Sequence, residues 1–337
     1  MTASMVMDNP RAQALNARAA RERWPYTRVP DWLQRSAAAD DMPRAPQWNA
    51  PAGWQAFDAP LTDTAETDPR VQALHAAPGE WNAGETTLEI PPDTQGTLVL
   101  WRHGDGVIDH ALTLSLGAGA QLHVVRIATL EAAATVFEDI RVDVAEGAQL
   151  HWHDYNLHQG LSHVDLRIAL NGTRAESHVD SLSLLDGRSR AVLQADITHA
   201  APHAVSRLTV RNALAERARR SMRGMVRVNR AGQHTDSAQI CRSLLLSPQA
   251  GADMRPELEI FADQVQCAHG ATCGELDTTA LHYLRSRGLD LATARRLLLD
   301  SFAMPLLDTL PASVRDAVRP LAETALARLG DHLEAQV

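Results

Sequence analysis

The sequence predicts a mainly β protein in which short strands coil into a parallel β-helix, or β-solenoid. Runs that alternate apolar and polar residues crowd the middle of the chain: Thr86–Ile90, Thr97–Trp101, Ala111–Leu116, Leu122–Ile127, Ile140–Val144 and Leu166–Leu170. Alternation with a period of two marks strands buried on one face. Turn-forming clusters separate the runs: Gly117-Ala118-Gly119, Glu146-Gly147 and Asn171-Gly172. The runs also recur at a nearly fixed interval. Gly119-Ala120-Gln121-Leu122-His123 returns as Gly147-Ala148-Gln149-Leu150-His151, a shift of 28 residues, and Leu116, Val144 and Leu170 each precede a turn. A weaker echo runs through Leu208–Ala218 and Met225–Val228. Such periods signal stacked coils, each burying its inward face on its neighbours. Each coil is expected to hold two or three short strands. A double-stranded barrel or a β-sandwich is the alternative, and either would repeat less regularly.

Three regions follow from the texture of the chain. Residues 1–84 read as a helical and irregular cap. Six of the seven tryptophans lie at or before Trp101, and Ala12–Arg23 suits a short helix. Pro25, Pro30, Pro43, Pro46 and Pro51 then interrupt regular structure. Residues 85–274 form the predicted solenoid. Residues 275–337 turn helical. Asp277 caps one helix, with Leu281 and Leu284 on one face and Gly288 at its end. Asp290 caps a second, carrying Ala294, Leu297, Leu298 and Phe302, which Pro305 should break. A third starts near Pro311 and runs to Gly330 with the stripe Val314, Val318, Leu321, Ala325 and Leu329. This amphipathic unit suits either the open end of the solenoid or a partner's groove.

Composition narrows the function. Hydrophobic content of 45% and charged content of 22% place the chain among soluble globular proteins. The net charge of −9 argues against general nucleic-acid binding, which needs an excess of cations. All non-histidine basic residues are arginine. Three cysteines, Cys241, Cys267 and Cys273, suggest no disulfide framework and fit a reducing cytoplasm. The first ten residues carry Asp8 and no long apolar run, so no secretory signal is expected. A phosphate loop ending in Gly-Lys-Ser/Thr, a zinc-binding HExxH motif and a GxSxG elbow are all missing from the sequence. The chain itself is not expected to bind or hydrolyse ATP.

The candidate chemistry lies near the end of the predicted solenoid. Cys267 and His269 are two residues apart, so on a strand they leave the same face, where a thiolate and an imidazole can share a metal. Two ligands complete neither an iron nor a zinc site, so the others would come from elsewhere or from another chain. The plainer reading is a buried thiol and a hydrogen-bonded histidine at a coil's end, with Cys273 as a packing residue. His151, His153, His158, His163, His178, His199 and His203 read as polar packing between coils rather than as a metal site. Arg217, Arg219, Arg220, Arg223, Arg227 and Arg230 read as an exposed face balanced by Glu216 and Asp236. Asp139, Asp143, Asp154 and Asp165 are the weak candidates for a carbohydrate lyase or hydrolase groove.

Residues 238–288 carry a longer pattern. Its pieces are Ala238-Gln239, Leu244-Leu245-Leu246-Ser247, Pro256-Glu257-Leu258-Glu259-Ile260, Ala262-Asp263, Cys267-Ala268-His269-Gly270-Ala271-Thr272 and Tyr283-Leu284-Arg285-Ser286-Arg287-Gly288. This stretch resembles the C-terminal signature of the SufB/SufD family of iron–sulfur cluster assembly scaffolds. Its Leu-Arg-Ser-Arg-Gly ending is more similar to the SufD branch than to its SufB paralogue. The resemblance implies a right-handed parallel β-helix between helical ends and a non-enzymatic scaffold in a SufB–SufC–SufD complex. It implies pairing with a SufB-like subunit through the β-helix and docking of a SufC-like ATPase on the C-terminal helices. It also implies a transient iron–sulfur cluster at the subunit contact, where Cys267 and His269 fall on the family's cysteine and histidine. The chain is short for the family on its N-terminal side, and Gln264 and Gln266 stand where acidic and basic residues are usual.

Overall fold

The computed structural model describes residues 55–56 and 69–334. The tryptophan-rich cap expected over 1–84, with its helix at Ala12–Arg23, falls almost wholly outside them. Among the described residues sixteen strands form two parallel sheets, alternating between them from β2 onward. The even sheet takes β1 (Gln55–Ala56), β2 (Arg70–Ala76), β4 (Gln95–Gly104), β6 (Gln121–Leu130), β8 (Gln149–Asn156), β10 (Glu176–Leu185), β12 (Val205–Leu214), β14 (Asp236–Leu245) and β16 (Gln266–Gly274). The odd sheet takes β3 (Trp81–Ile90), β5 (Val107–Leu116), β7 (Thr135–Val144), β9 (Leu161–Leu170), β11 (Arg190–His199), β13 (Arg219–Val228) and β15 (Gly251–Ile260). This is a parallel β-solenoid, as expected. Each coil holds two strands, most of ten residues, rather than two or three short ones, and strands are already present at Arg70.

The sequence repeat is the coil register. Gln121, Leu122 and His123 lie beside Gln149, Leu150 and His151 on the neighbouring coil. Six of the seven turns from the odd to the even sheet place one residue in the left-handed region, at Asp93, Gly119, Gly147, Arg174, His203 and His234; the turn from β15 to β16 does not. Only two of these six are glycine, although the conformation favours it. Side chains alternate inward and outward along each strand. The inward Leu112, Leu114, Leu116, Val124, Leu150, Ile140, Leu166 and Ile197 form the core between the sheets.

A charged seam crosses that core. Arg102 donates to Glu138 at 2.7 Å, and the same carboxylate accepts from Arg126. Arg126 also reaches Asp154 at 2.7 Å and Ser162 Oγ at 2.7 Å. Asp154 accepts from Asn156 and Ser181, each at 2.9 Å, and Ser181 Oγ accepts from Arg220 at 2.9 Å. All five charged groups are buried. Burial opposes the ionised form of Glu138, but the two guanidiniums outweigh it and hold its carboxyl at about 2. Asp154, considered above for a catalytic groove, belongs to this seam. Asp139 and Asp165 are neighbours in register on the outer face, and Arg167 contacts both.

The arginine run divides by parity. Arg223 and Arg227 point outward and pair with Glu257 and Glu259 of the next coil at 2.9 and 2.8 Å, rather than with Glu216 and Asp236. Arg220 points inward and is buried, against the expectation of an exposed face. The histidines stack as packing groups: the rings of His123, His151 and His178 lie 4.5 and 4.9 Å apart on successive coils.

Three helices follow the last strand: α1 (Thr278–Ser286), α2 (Leu291–Ala303) and α3 (Ala312–Glu334). Asp277 and Asp290 cap α1 and α2 as expected, and α2 stops before a 3-10 turn that contains Pro305. All five residues of the α3 stripe are buried. The buried positions of α2 are Ala294, Leu299 and Ala303, while Leu297 is exposed, which corrects the expected face. Helices α2 and α3 lie on the outer face of the even sheet rather than over the open end of the solenoid. Tyr155 donates to the Leu306 carbonyl at 2.8 Å, Arg328 donates to Asp186 at 3.0 Å, and Val125, Ile127, Leu182 and Leu184 share one apolar cluster with α2 and α3.

Removing one partner of a buried ion pair strands the other. Glu138→Ala should therefore cost about 3–5 kcal/mol of stability, read from urea unfolding; a loss within about 0.5 kcal/mol, typical of surface sites, would contradict the seam's role. Burial holds His153 and His158 neutral, with values of about 3. The unfolded chain takes up these protons near pH 6.5. Stability should then fall as the pH drops from about 6.5 towards 3, and His158→Leu should flatten that slope in pH-dependent melting.

Candidate functional site at the open end of the solenoid

In-register stacking carries four inward files of side chains to β16. One file runs Ser177, Ser206, Ser237, Cys267 and a second runs Val179, Leu208, Gln239, His269. A third runs Ser181, Val210, Cys241, Ala271 and the fourth Ser183, Asn212, Ser243, Cys273. On β14 the four inward residues Ser237, Gln239, Cys241 and Ser243 are all buried. On β16 the equivalent positions are uncovered, because no further strand follows on the odd sheet. A surface that is interior from β6 to β14 is thus presented to the outside.

Cys267 and His269 share this face, as their spacing predicts. Cys267 is half-buried, with its side chain resting on the end of the solenoid core, and His269 is exposed. Against the plainer reading, a buried thiol and a hydrogen-bonded histidine at a coil's end, the two residues do lie at the last coil, with the thiol half-buried and the histidine exposed. Burial pushes the Cys267 thiol up, the charge of Asp236 adds to this, and the Ser237 backbone N–H opposes it. Behind the thiol lies a buried polar chain. Ser237 Oγ is 2.8 Å from Ser206 Oγ, which is 2.9 Å from His199 Nε2. Cys273 is exposed at the far end of the same face and is not the packing residue it was expected to be. Cys241 is the packing thiol: it is buried with Sγ 3.8 Å from Met222 Sδ, and burial pushes it up to about 11.

Ile240, Ile260 and Phe261 near this end are exposed to 46, 41 and 59%, beside the exposed polar Asp263, Gln264 and Gln266, and both sheets end here on strands with one unpaired edge. Pro256 lies within β15, where an edge position tolerates its missing N–H. No group of three metal-ligating side chains occurs among the described residues, so Cys267 and His269 are an incomplete donor set in this chain alone. Sequence reasoning missed the polar files behind the thiols; the recurrence of Ser177, Ser206 and Ser237 one coil apart was the available signal.

The architecture is a two-sheet parallel β-solenoid that ends in an uncovered, thiol-bearing strand. Comparison with known proteins places it further. The family model described as SUF system FeS cluster assembly, SufBD core domain, matches residues 76–302, and the chain belongs to that family. It is 34% identical over 207 residues to an iron-sulfur cluster assembly SufBD family protein of Synechocystis, covering 60% of this chain and 45% of that protein. It is 28% identical over 221 residues to the iron-sulfur cluster assembly protein SufD of Escherichia coli, covering 66% and 51%. A third relative, the chloroplastic protein ABCI7 of Arabidopsis thaliana, is 45% identical over 97 residues, which are 28% of this chain and 20% of that one. The chain spans about half or less of the length of these relatives.

The three thiols should react in order of exposure. Under native alkylation followed by mass spectrometry, Cys273 should be modified first and Cys267 more slowly, with Cys241 protected until the fold opens. Modification of Cys241 as fast as Cys273 would contradict this placement.

Proposed function

We propose that the chain is a SufD-like, non-catalytic scaffold subunit for iron–sulfur cluster assembly. In this reading the uncovered end of its solenoid pairs with a SufB-like subunit, and its C-terminal helices dock a SufC-like ATPase. The observation that carries the reading is the inward face of β16, exposed with Cys267 and His269 side by side and rimmed by Ile240, Ile260 and Phe261. An interior surface left uncovered, with two free strand edges, suits a partner that continues the sheets. The two donors are half of a tetrahedral set, and a partner facing them supplies the remainder. The nascent cluster is cargo held between the subunits and then released.

The ATPase dock is assigned to α1 and the start of α2. No residue of α1 is buried, and Tyr283 and Leu297 are exposed to 56 and 44%. Exposed aromatic and aliphatic anchors on a helical surface are the usual core of a protein contact. No helix among the described residues is long and apolar enough to cross a membrane. The assignment of the cytoplasm rests on the three free thiols.

Co-expression with SufB-like and SufC-like partners tests this directly. The tagged chain should retain both, Phe261→Asp should release the SufB-like partner, and Tyr283→Asp should release the ATPase. Cys267→Ala or His269→Ala should impair maturation of iron–sulfur enzymes with melting temperatures unchanged. Normal maturation in both variants would remove the site assignment, and a strictly solitary chain would remove the scaffold.

A further inference from the structure

Both outer faces of the solenoid bury side chains, but only one has its cover among the described residues. On the even sheet the outward Val125, Ile127, Leu182 and Leu184 are buried beneath α2 and α3, which pack against β12 and β10. On the odd sheet, parity turns Phe137, Leu161, His163 and Val192 outward, opposite to the inward Ile140, Val164 and Leu193. These four are nevertheless exposed to only 4, 1, 1 and 5%. They form one patch: Phe137, His163 and Val192 are neighbours in register on β7, β9 and β11, and the rings of Phe137 and His163 are 6.2 Å apart. Phe137, Leu161 and Val192 belong neither to the core between the sheets nor to the cluster beneath the helices. Elsewhere on the same outer face Arg141, Asp143 and Arg227 are exposed. A leucine that points out of a sheet and is 1% exposed has further chain lying over it. Asp109, beside Phe137 in register, and Asp165 are buried in the same patch. Buried carboxylates call for cations or hydrogen-bond donors around them.

Beyond the described residues the chain has 1–54, 57–68 and 335–337. The last is a three-residue extension of the α3 end. The second joins β1 to β2, so it is tethered at both ends, and it carries Asp58, Asp63, Glu66 and Asp68 with no cation. Its charge opposes a place over Asp109 and Asp165. Residues 1–54 fit on reach, charge and apolar content. They lead into β1, at the first edge of the even sheet. From there β11 lies about 24 Å along the stack, which roughly eight extended residues span. The segment holds seven arginines and five carboxylates, a positive surplus in a chain of net charge −9. It also holds Trp24, Trp32, Trp48 and Trp54, large apolar groups that each have an N–H to place.

We propose that the outer face of the odd sheet is the docking surface for the chain's own residues 1–54, with tryptophans over Phe137, Leu161 and Val192 and arginines over Asp109 and Asp165. Aromatic side chains and arginine are the groups that carry most protein contacts of this kind. The dock is the counterpart of α2 and α3 on the even sheet, so the chain closes both flanks of its solenoid itself. It lies away from the inward face of β16 and does not depend on the scaffold reading.

Photo-crosslinking of the full chain tests it. Metabolic incorporation of photo-leucine puts a diazirine at Leu161 with little change of size. After irradiation, mass spectrometry should find Leu161 joined to peptides from residues 1–54, in material of monomer mass and at every protein concentration. Hydroxyl-radical labelling gives a second readout. Phe137 should react an order of magnitude more slowly than Phe261, in line with exposures of 4 and 59%. Trp24→Ser, Trp32→Ser, Trp48→Ser and Trp54→Ser, made together, should raise the labelling of Phe137 several-fold while Cys241 stays protected from alkylation, the sign that the solenoid remains folded. Leu161 joined only to a second copy, at dimer mass, or only to other parts of its own chain would overturn the dock. So would labelling of Phe137 as fast as Phe261 in the unaltered chain, or unchanged protection of Phe137 in the folded variant.

Discussion

Parallel strands stacked in register place every inward side chain directly over its counterpart on the previous coil. The files this creates are closed by the next coil and by the opposing sheet, and the closure must end somewhere. Here it ends at β16, whose inward positions are equivalent to four buried residues of β14 yet lie open. The exposure of His269 and Cys273 and the half-burial of Cys267 follow from this termination, and so does the presence of two unpaired strand edges near the exposed Ile260 and Phe261. Had α1 to α3 folded over the end, the thiols would be interior; instead these helices cover the outer face of the even sheet and leave the end free.

The same stacking explains the polar interior. A solenoid core is narrow, and a long side chain on one sheet reaches the other. Arg102 and Arg126, on the even sheet, meet Glu138 on the odd sheet, and Arg220 crosses back to Ser181. Replacing such a network by apolar residues is often neutral or stabilising, whereas breaking it is costly. Its value here lies in fixing which coil faces which, since a register slip of one residue would turn every arginine outward.

Much of the fold was legible. The 28-residue repeat is the register of β6 on β8, and the aspartate caps and the α3 stripe are local signals that the structure uses as read. Coils other than the two that turn at Gly119 and Gly147 were fainter because the left-handed turn position is filled by Asp93, Arg174, His203 and His234 instead of glycine. The placement of Cys267 and His269 on one strand face followed from parity alone. The exposure of Cys273, the outward turn of Leu297 and the burial of Arg220 did not, because each depends on which elements cover a surface. Arg220 differs from Arg219 and Arg223 only in parity, and an arginine at an inward position looks like any other until the opposing Ser181 and Asp154 are placed.

The most direct test of the account is hydrogen–deuterium exchange at the backbone amides of β15 and β16, in the isolated chain and in complex with a SufB-like partner. In the isolated chain the amides that lack a partner strand should exchange fast, while those of β13 and β14 stay protected. On complex formation the amides of Gly251–Ile260 and Gln266–Gly274 should slow together. Unchanged exchange in both strands within a stable complex would place the contact elsewhere and contradict the claim that the open end is the working surface.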